Sequence, residues 1–277
     1  MVVRHLGDTD FKTIMECFLS AFDNYFVKMP TDHNFYKKRW KATGVRFDLS
    51  YGMFDNTKLV GFIINAVDNR NGEYIAYNSG TGVIPDYRGQ RIVNTIYDYA
   101  IPDLIKHGIT KCLLEVITEN VKAIKSYEGI GFEKCKYYRC FGGEISVEDS
   151  NNYALREVDF SFVDWDTIPN KELYSWDHQT RSLEKGNYKC FQVVVANQIQ
   201  SFFVINPLNG SIAQLEVFDQ SEFSWKTLFS AIRSLQKEVK INNIDDRLIA
   251  KIKAVESAGL KHTVNQYEME LVLNKRL

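Results

Sequence analysis

Three residues between positions 115 and 127 have the types and spacing for acid–base chemistry. Glu115 stands inside the apolar run LLEV (113–116), Asn120 follows, and Tyr127 lies twelve positions after the glutamate. A carboxylate in the middle of an apolar strand is costly to bury unless paired or protonated, so its pKa rises toward the range a general base needs. A tyrosine hydroxyl, with a pKa of about 10, can return a proton to a leaving group. Upstream, GTGVIPDYRGQ (80–90) carries a strand into the Arg88-Gly89 turn, and a helical pattern opens just beyond it. A helix N-terminus offers unpaired N–H groups and a partial positive charge, so it stabilises a phosphate or diphosphate. Arg91 adds a cation for a charge-assisted contact there. The order suits a protein that holds a phosphorylated carrier at a helix N-terminus and does acid–base chemistry beside it. The plainer readings are Glu115 paired with a lysine at a sheet edge, Tyr127 packed on the sheet, Asn120 as a helix cap, and Arg88 and Arg91 solvated on a surface turn.

The elements that must position these groups follow from periodicity. A short strand over 2–6 precedes a helix capped by Asp8 or Thr9, with Phe11, Ile14, Met15, Phe18 and Phe22 at helical spacing. The aromatic segment 21–40 reads as a loop and a second helix. Strands are expected over 48–54, 58–67 and 73–84, the last two joined through a hairpin turn at Asn71-Gly72. Residues 89–107 are helical, with Pro102 expected to kink them and Gly108 just past the end. A nearly continuous apolar strand at 111–117, as in a sheet covered on both faces, leads to a short helix at 120–128 and a strand at 132–141.

The first half resembles the GCN5-related N-acetyltransferase (GNAT) superfamily, in which an Arg/Gln-x-x-Gly-x-Gly/Ala loop wraps the diphosphate of acetyl-CoA. The matching run is Arg88-Gly89-Gln90-Arg91-Ile92-Val93, with Arg91 and Val93 in place of the loop glycines. The resemblance implies an α/β fold, a mixed sheet flanked by helices, and acetyl-CoA as co-substrate without a metal. It implies carrier contacts from Arg88, Gly89, Gln90, Arg91, Ile92 and Val93, and from Asn120 to the pantetheine arm or a water. Backbone amides of Gly82, Val83 and Ile84 would face the thioester carbonyl, where the long strand parts from its neighbour. Tyr127 would be the acid for the coenzyme A thiolate and Glu115 the base, with Glu119 and Asp23 as other carboxylates for that role. A base is worth having: an amine with a lysine-like pKa of about 10.4 is almost wholly protonated at pH 7, and removing its proton costs roughly 4–5 kcal/mol. The acceptor pocket would form at the aromatic loop, with Asp23, Tyr25, Phe26 and Tyr36, and Asp32 as a second carboxylate for a cation.

The second half repeats the pattern faintly, since LREVDF (155–160) echoes the start of the chain and VESAGL (255–260) aligns with YEGIGF (127–132). Two tandem units are expected, at 1–145 and 146–277, joined by the polar stretch 142–152. The second is diverged, a structural wall of the acceptor pocket, with Val255 where Tyr127 stands and acids where the Arg-Gly turn would be. In it a hairpin turns at 207–210, helices span 223–239 and 248–259, and residues 266–269 form a closing strand.

Composition bounds the rest. A net charge of −1 gives no electrostatic case for nucleic acid or an anionic membrane. No apolar run suits a signal peptide or a membrane span. Five scattered cysteines fit reduced thiols, and hence a cytoplasmic protein, and five distant histidines show no metal-ligand spacing. The expected partner is a small-molecule or peptide amine, its identity open, as are the acyl length of the donor and a homodimer. The rival function is a non-catalytic acyl-CoA-binding or regulatory module.

Overall fold

The computed structural model describes residues 1–70, 72–148 and 152–273. The chain divides into two compact units. One comprises Met1–Cys135 with Glu268–Leu277, the other Lys136–Tyr267. The boundary therefore falls at 135/136, where the sequence suggested 145/146, and the last strand returns to the first unit. Asn71 of the expected hairpin and residues 149–151 of the expected linker lie outside the described residues.

The first unit opens with β1 (Val2–His5), α1 (Phe11–Ala21) and α2 (His33–Thr43). Asp10, rather than Asp8 or Thr9, caps α1 by accepting from the Thr13 amide at 3.2 Å. Asp32 caps α2, one of its oxygens accepting from the Asn34 amide at 2.8 Å. The chain then forms β2 (Tyr51–Asp55), β3 (Lys58–Arg70), β4 (Glu73–Val83), α3 (Ile92–Lys106), β5 (Lys111–Ile117) and α4 (Val121–Ile130). α3 runs through Pro102. Phe18 from α1, Phe62 from β3 and Ile96 from α3 are buried in the core. β6 (Glu133–Glu144) starts here and continues in the second unit.

In the second unit β7 (Ala154–Val158), α5 (Thr180–Leu183), β8 (Lys189–Val195), β9 (Gln198–Asn206), β10 (Ser211–Val217), α6 (Glu222–Leu235), β11 (Glu238–Asp245), α7 (Ile249–Ser257) and β12 (Lys261–Val272) follow. The helix expected to reach position 239 ends at Leu235, because β11 claims the segment after it. That strand alternates buried Val239 and Ile241 with exposed Glu238 and Lys240, a period of two rather than 3.6. The main core gathers Phe203, Leu215, Trp225, Leu228, Phe229 and Val255.

Sheet order in the first unit is β1-β2-β3-β4-β5 followed by the end of β12. Lys111 on β5 pairs with Glu270 at 3.2 Å. In the second unit the start of β12 is followed by β6, β11, β10, β9, β8 and β7. Each unit thus contains an antiparallel pair, β3–β4 or β9–β10, continued by a parallel strand, β5 or β11. One helix lies between the parallel strands in sequence, and a second follows them.

Candidate active site

β4 and β5 pair only from Ile75–Lys111 to Asn78–Leu114, after which both strands run on. A bulge at Ser79, between the Ile64–Gly80 and Asn65–Asn78 pairs, marks the point of parting. Beyond it a cleft of about 980 Å³ opens, lined by Thr81, Gly82 and Val83 of β4, the start of α3, the start of α4, and the loop after α1. Gly82 is fixed by close approach: a Cβ there would lie 2.7 Å from the Ala21 side chain and 2.8 Å from that of Phe62.

The turn that opens α3 is shaped by backbone conformation. Gly89 has φ of 78°, and Arg91, the residue before the helix, has φ of 56°, both left-handed. The family glycine at the Arg91 position would adopt this conformation freely, whereas a side chain costs about 1–2 kcal/mol there. No described side chain caps α3, and Arg91, Ile92, Val93 and Asn94 line the cleft with Arg91 exposed. Its first-turn amides lack intrahelical partners by geometry. The Arg88 guanidinium donates to the carbonyls of Val83 (3.1 Å) and Ala21 (3.0 Å). It braces the end of β4 against the end of α1.

Asn120 caps α4, its Oδ1 accepting from the Ala123 amide at 3.2 Å, and its amide also reaches the Tyr25 hydroxyl. Tyr127 is buried on α4 with its ring 5.7 Å from that of Phe132. Burial pushes its pKa up to about 12, partly opposed by a hydrogen bond with Thr81, so it stays protonated through neutral pH. Arg88, Arg91, Lys122 and Lys125 supply positive charge along the cleft, while Asp23 and Glu119 supply negative charge beside Phe22, Tyr25 and Phe26. A pocket with this division accommodates an anionic carrier and a cationic or neutral amine.

Four of the expected site residues fall outside this lining. Glu115 is half-buried on β5 but does not line the cleft. The Ile84 amide already donates to the Val60 carbonyl at 3.0 Å, so it has no hydrogen left for a ligand. Gln90 is exposed in the turn. Tyr36 is buried among Phe18, Phe35 and Trp40, at ring distances of 4.8, 5.2 and 5.3 Å. The residues that the sequence reading missed are Thr81, Lys122 and Lys125. The lysines fall one turn apart on the helix that Asn120 caps, which is the signal that would have found them. Among the described residues no group of three or more His, Cys, Asp or Glu side chains is placed to hold a metal.

The sequence model of the acetyltransferase (GNAT) family matches residues 12–132, which span this cleft. Similar chains agree with it. An N-alpha-acetyltransferase 30 of Schizosaccharomyces pombe is 26% identical over 109 residues, 39% of this chain and 71% of that one. A GCN5-related N-acetyltransferase from Sphaerobacter thermophilus superposes with a TM-score of 0.67 at 11% identity, covering 98% of this chain and 95% of that one. A tandem GNAT protein from the clavulanic acid biosynthesis pathway gives 0.66 at 13% identity, with 98% of both chains covered. Residues 12–132 of the chain carry the acetyltransferase (GNAT) family match, and the chain as a whole shares the fold of a tandem GNAT structure. It is an acyltransferase.

Proposed function

We propose that the chain transfers the acetyl group of acetyl-CoA directly to a primary amine. The observation that carries this reading is that one cleft gathers the uncapped start of α3, the parted end of β4 and Tyr127. The diphosphate would lie against the amides of Ile92, Val93 and Asn94, with Arg91 supplying positive charge. The pantetheine arm would run past Asn120 into the split beside Thr81, Gly82 and Val83, where main-chain amides can polarise the thioester carbonyl. The amine attacks that carbonyl, the C–S bond breaks, and the thiolate takes the proton of the Tyr127 hydroxyl. The amine's own proton would pass to a carboxylate facing the cleft, Glu119 or Asp23, directly or through water. The N-alpha-acetyltransferase relative supports an amine as acceptor, and the aromatic rings of Phe22, Tyr25 and Phe26 favour one with an apolar or aromatic body.

A thiol-release assay with acetyl-CoA against a panel of primary amines tests the reading. The expected result is turnover that Tyr127→Phe reduces with carrier affinity retained. Carrier binding without acetylation of any amine would overturn it.

A further inference from the structure

The Tyr127 hydroxyl ends a polar chain that the mechanism above does not use. Asn78 donates through Nδ2 to Thr81 Oγ1 at 2.5 Å and to the Tyr97 hydroxyl at 2.9 Å. Its Oδ1 accepts from the Gly80 amide at 2.9 Å, which fixes which end of the side-chain amide faces the two hydroxyls. Because Thr81 Oγ1 already accepts from Asn78, its own hydrogen is free to be donated. Thr81 and Tyr127 line the same cleft, and hydrogen bonding with the Thr81 side chain lowers the phenol pKa of both Tyr97 and Tyr127 against the effect of burial.

The second unit shows that the fold does not require this chain. Aligning the bulges at Ser79 and Ala213, and the last parallel pairs Asn78–Leu114 and Ile212–Ile241, sets Ile212 at the Asn78 position and Leu215 at the Thr81 position. The same register matches the Phe62–Gly82 pair to Phe202–Glu216. The helix ends match as well, since Phe132 N donates to Tyr127 O as Leu260 N donates to Val255 O. Where the first unit places Asn78, Thr81 and Tyr127, the second therefore has Ile212, Leu215 and Val255. Polar groups cost free energy to bury unless fully hydrogen-bonded, and the polar set occurs in the unit with the open cleft.

We propose that Thr81, held by Asn78 and backed by Tyr97, is a positioning residue that aims the Tyr127 hydroxyl and stabilises its phenolate as the proton leaves. This rests on the acetyl-transfer reading. In the step concerned the C–S electron pair stays on sulfur, the Tyr127 O–H bond breaks and an S–H bond forms. The phenolate then regains its proton from the carboxylate that took it from the attacking nitrogen, which leaves amide and free thiol. A phenol held at about 12 by burial is a weaker acid than an ordinary thiol, at about 8.5. Donors aimed at the developing phenolate offset that mismatch, and hydrogen bonds to charged groups are the strong ones.

The test compares Thr81→Val, Thr81→Ser and Tyr97→Phe with wild type, using acetyl-CoA and an acetyl thioester of an acidic aryl thiol. Thr81→Val should lower kcat with acetyl-CoA about 10- to 100-fold, the range for losing a hydrogen bond to a charged group. Its acetyl-CoA Kd should hold, Thr81→Ser should recover most of the rate, and Tyr97→Phe should lose less. With the aryl thioester, whose leaving group needs no proton, the Thr81→Val defect should shrink to within about threefold of wild type. A Thr81→Val rate equal to wild type, or a defect as large with the aryl thioester, would overturn the proposal. No turnover by wild type, or an undiminished Tyr127→Phe, would instead sink the acetyl-transfer reading itself.

Discussion

The two units part their parallel strands at equivalent points and then do opposite things with the space. Past Asn78–Leu114 the first unit leaves a cleft of about 980 Å³. Past Ile212–Ile241 the second leaves about 10 Å³ between the strands, the room of a single water, and its groove of about 810 Å³ along α6 and α7 is lined by neither strand. The difference is side-chain filling. Glu216 takes the position of Gly82 and is fully buried. It pairs with Lys251 of α7, at the position of Ala123 in α4, and accepts from the Tyr174 hydroxyl at 2.7 Å. Asn170 donates to its other oxygen at 3.3 Å, so both oxygens of the carboxylate are satisfied. The helix that follows is also closed to anions, since Ser221 caps α6 and Glu222 sits in its first turn. A glycine and an alanine make a groove, and a glutamate and a lysine at the same places make a plug.

The largest expected effects break this contrast at its chemical end. Tyr127→Phe should cut kcat by about 10²–10⁴, the usual contribution of a positioned general acid, with carrier Kd held. Steady-state rates and calorimetry check it. On the plugged side, Glu216→Gln leaves the Lys251 ammonium buried without its carboxylate. Burial already lowers the Lys251 pKa, against the pull of Glu216. Urea melts should show a loss of about 3–5 kcal/mol, and replacing both residues by apolar ones of similar volume should restore most of it.

Smaller effects sharpen the contrast. Gly82→Ala should cost about 1–3 kcal/mol of stability through its contacts with Ala21 and Phe62, and should weaken carrier binding by narrowing the split. The Tyr127 pKa, higher in the folded chain than the ordinary value of about 10, makes a stability contribution that is full below pH 10 and lost as pH rises through about 12. Denaturation across pH 9–12 should therefore show a steeper alkaline loss in wild type than in Tyr127→Phe. The smallest change is Arg91→Gly, which relieves a left-handed φ and should raise stability by about 1 kcal/mol in thermal melts.

Much of the first unit was legible because its signals are local. The helical spacing of α1, the apolar run of β5, the Arg88-Gly89 turn and the Tyr127-to-Phe132 helix end all lie in short windows. What the sequence hid depends on distant partners. Asn78 and Thr81 form a chain with Tyr127 only once β4 and α4 meet across the split. Glu115 has the composition of a base, yet which residues line a cleft is set by how strands part, and no spacing reports that. Ile84 was drawn toward the ligand by its place at a strand end, while its amide is spent on Val60. β11 was overlooked because its alternation follows directly on α6, and the helical pattern was carried four residues too far. Lys251 and Glu216 lie 35 positions apart, and neither announces the other.

The most direct test is a crystal structure of the chain grown with saturating acetyl-CoA. One carrier per chain is expected, its diphosphate on the amides of Ile92, Val93 and Asn94 and its sulfur beside the Tyr127 hydroxyl, with the Glu216–Lys251 pair intact. A carrier seated in the second unit's split, or a diphosphate bound away from the start of α3, would contradict the account.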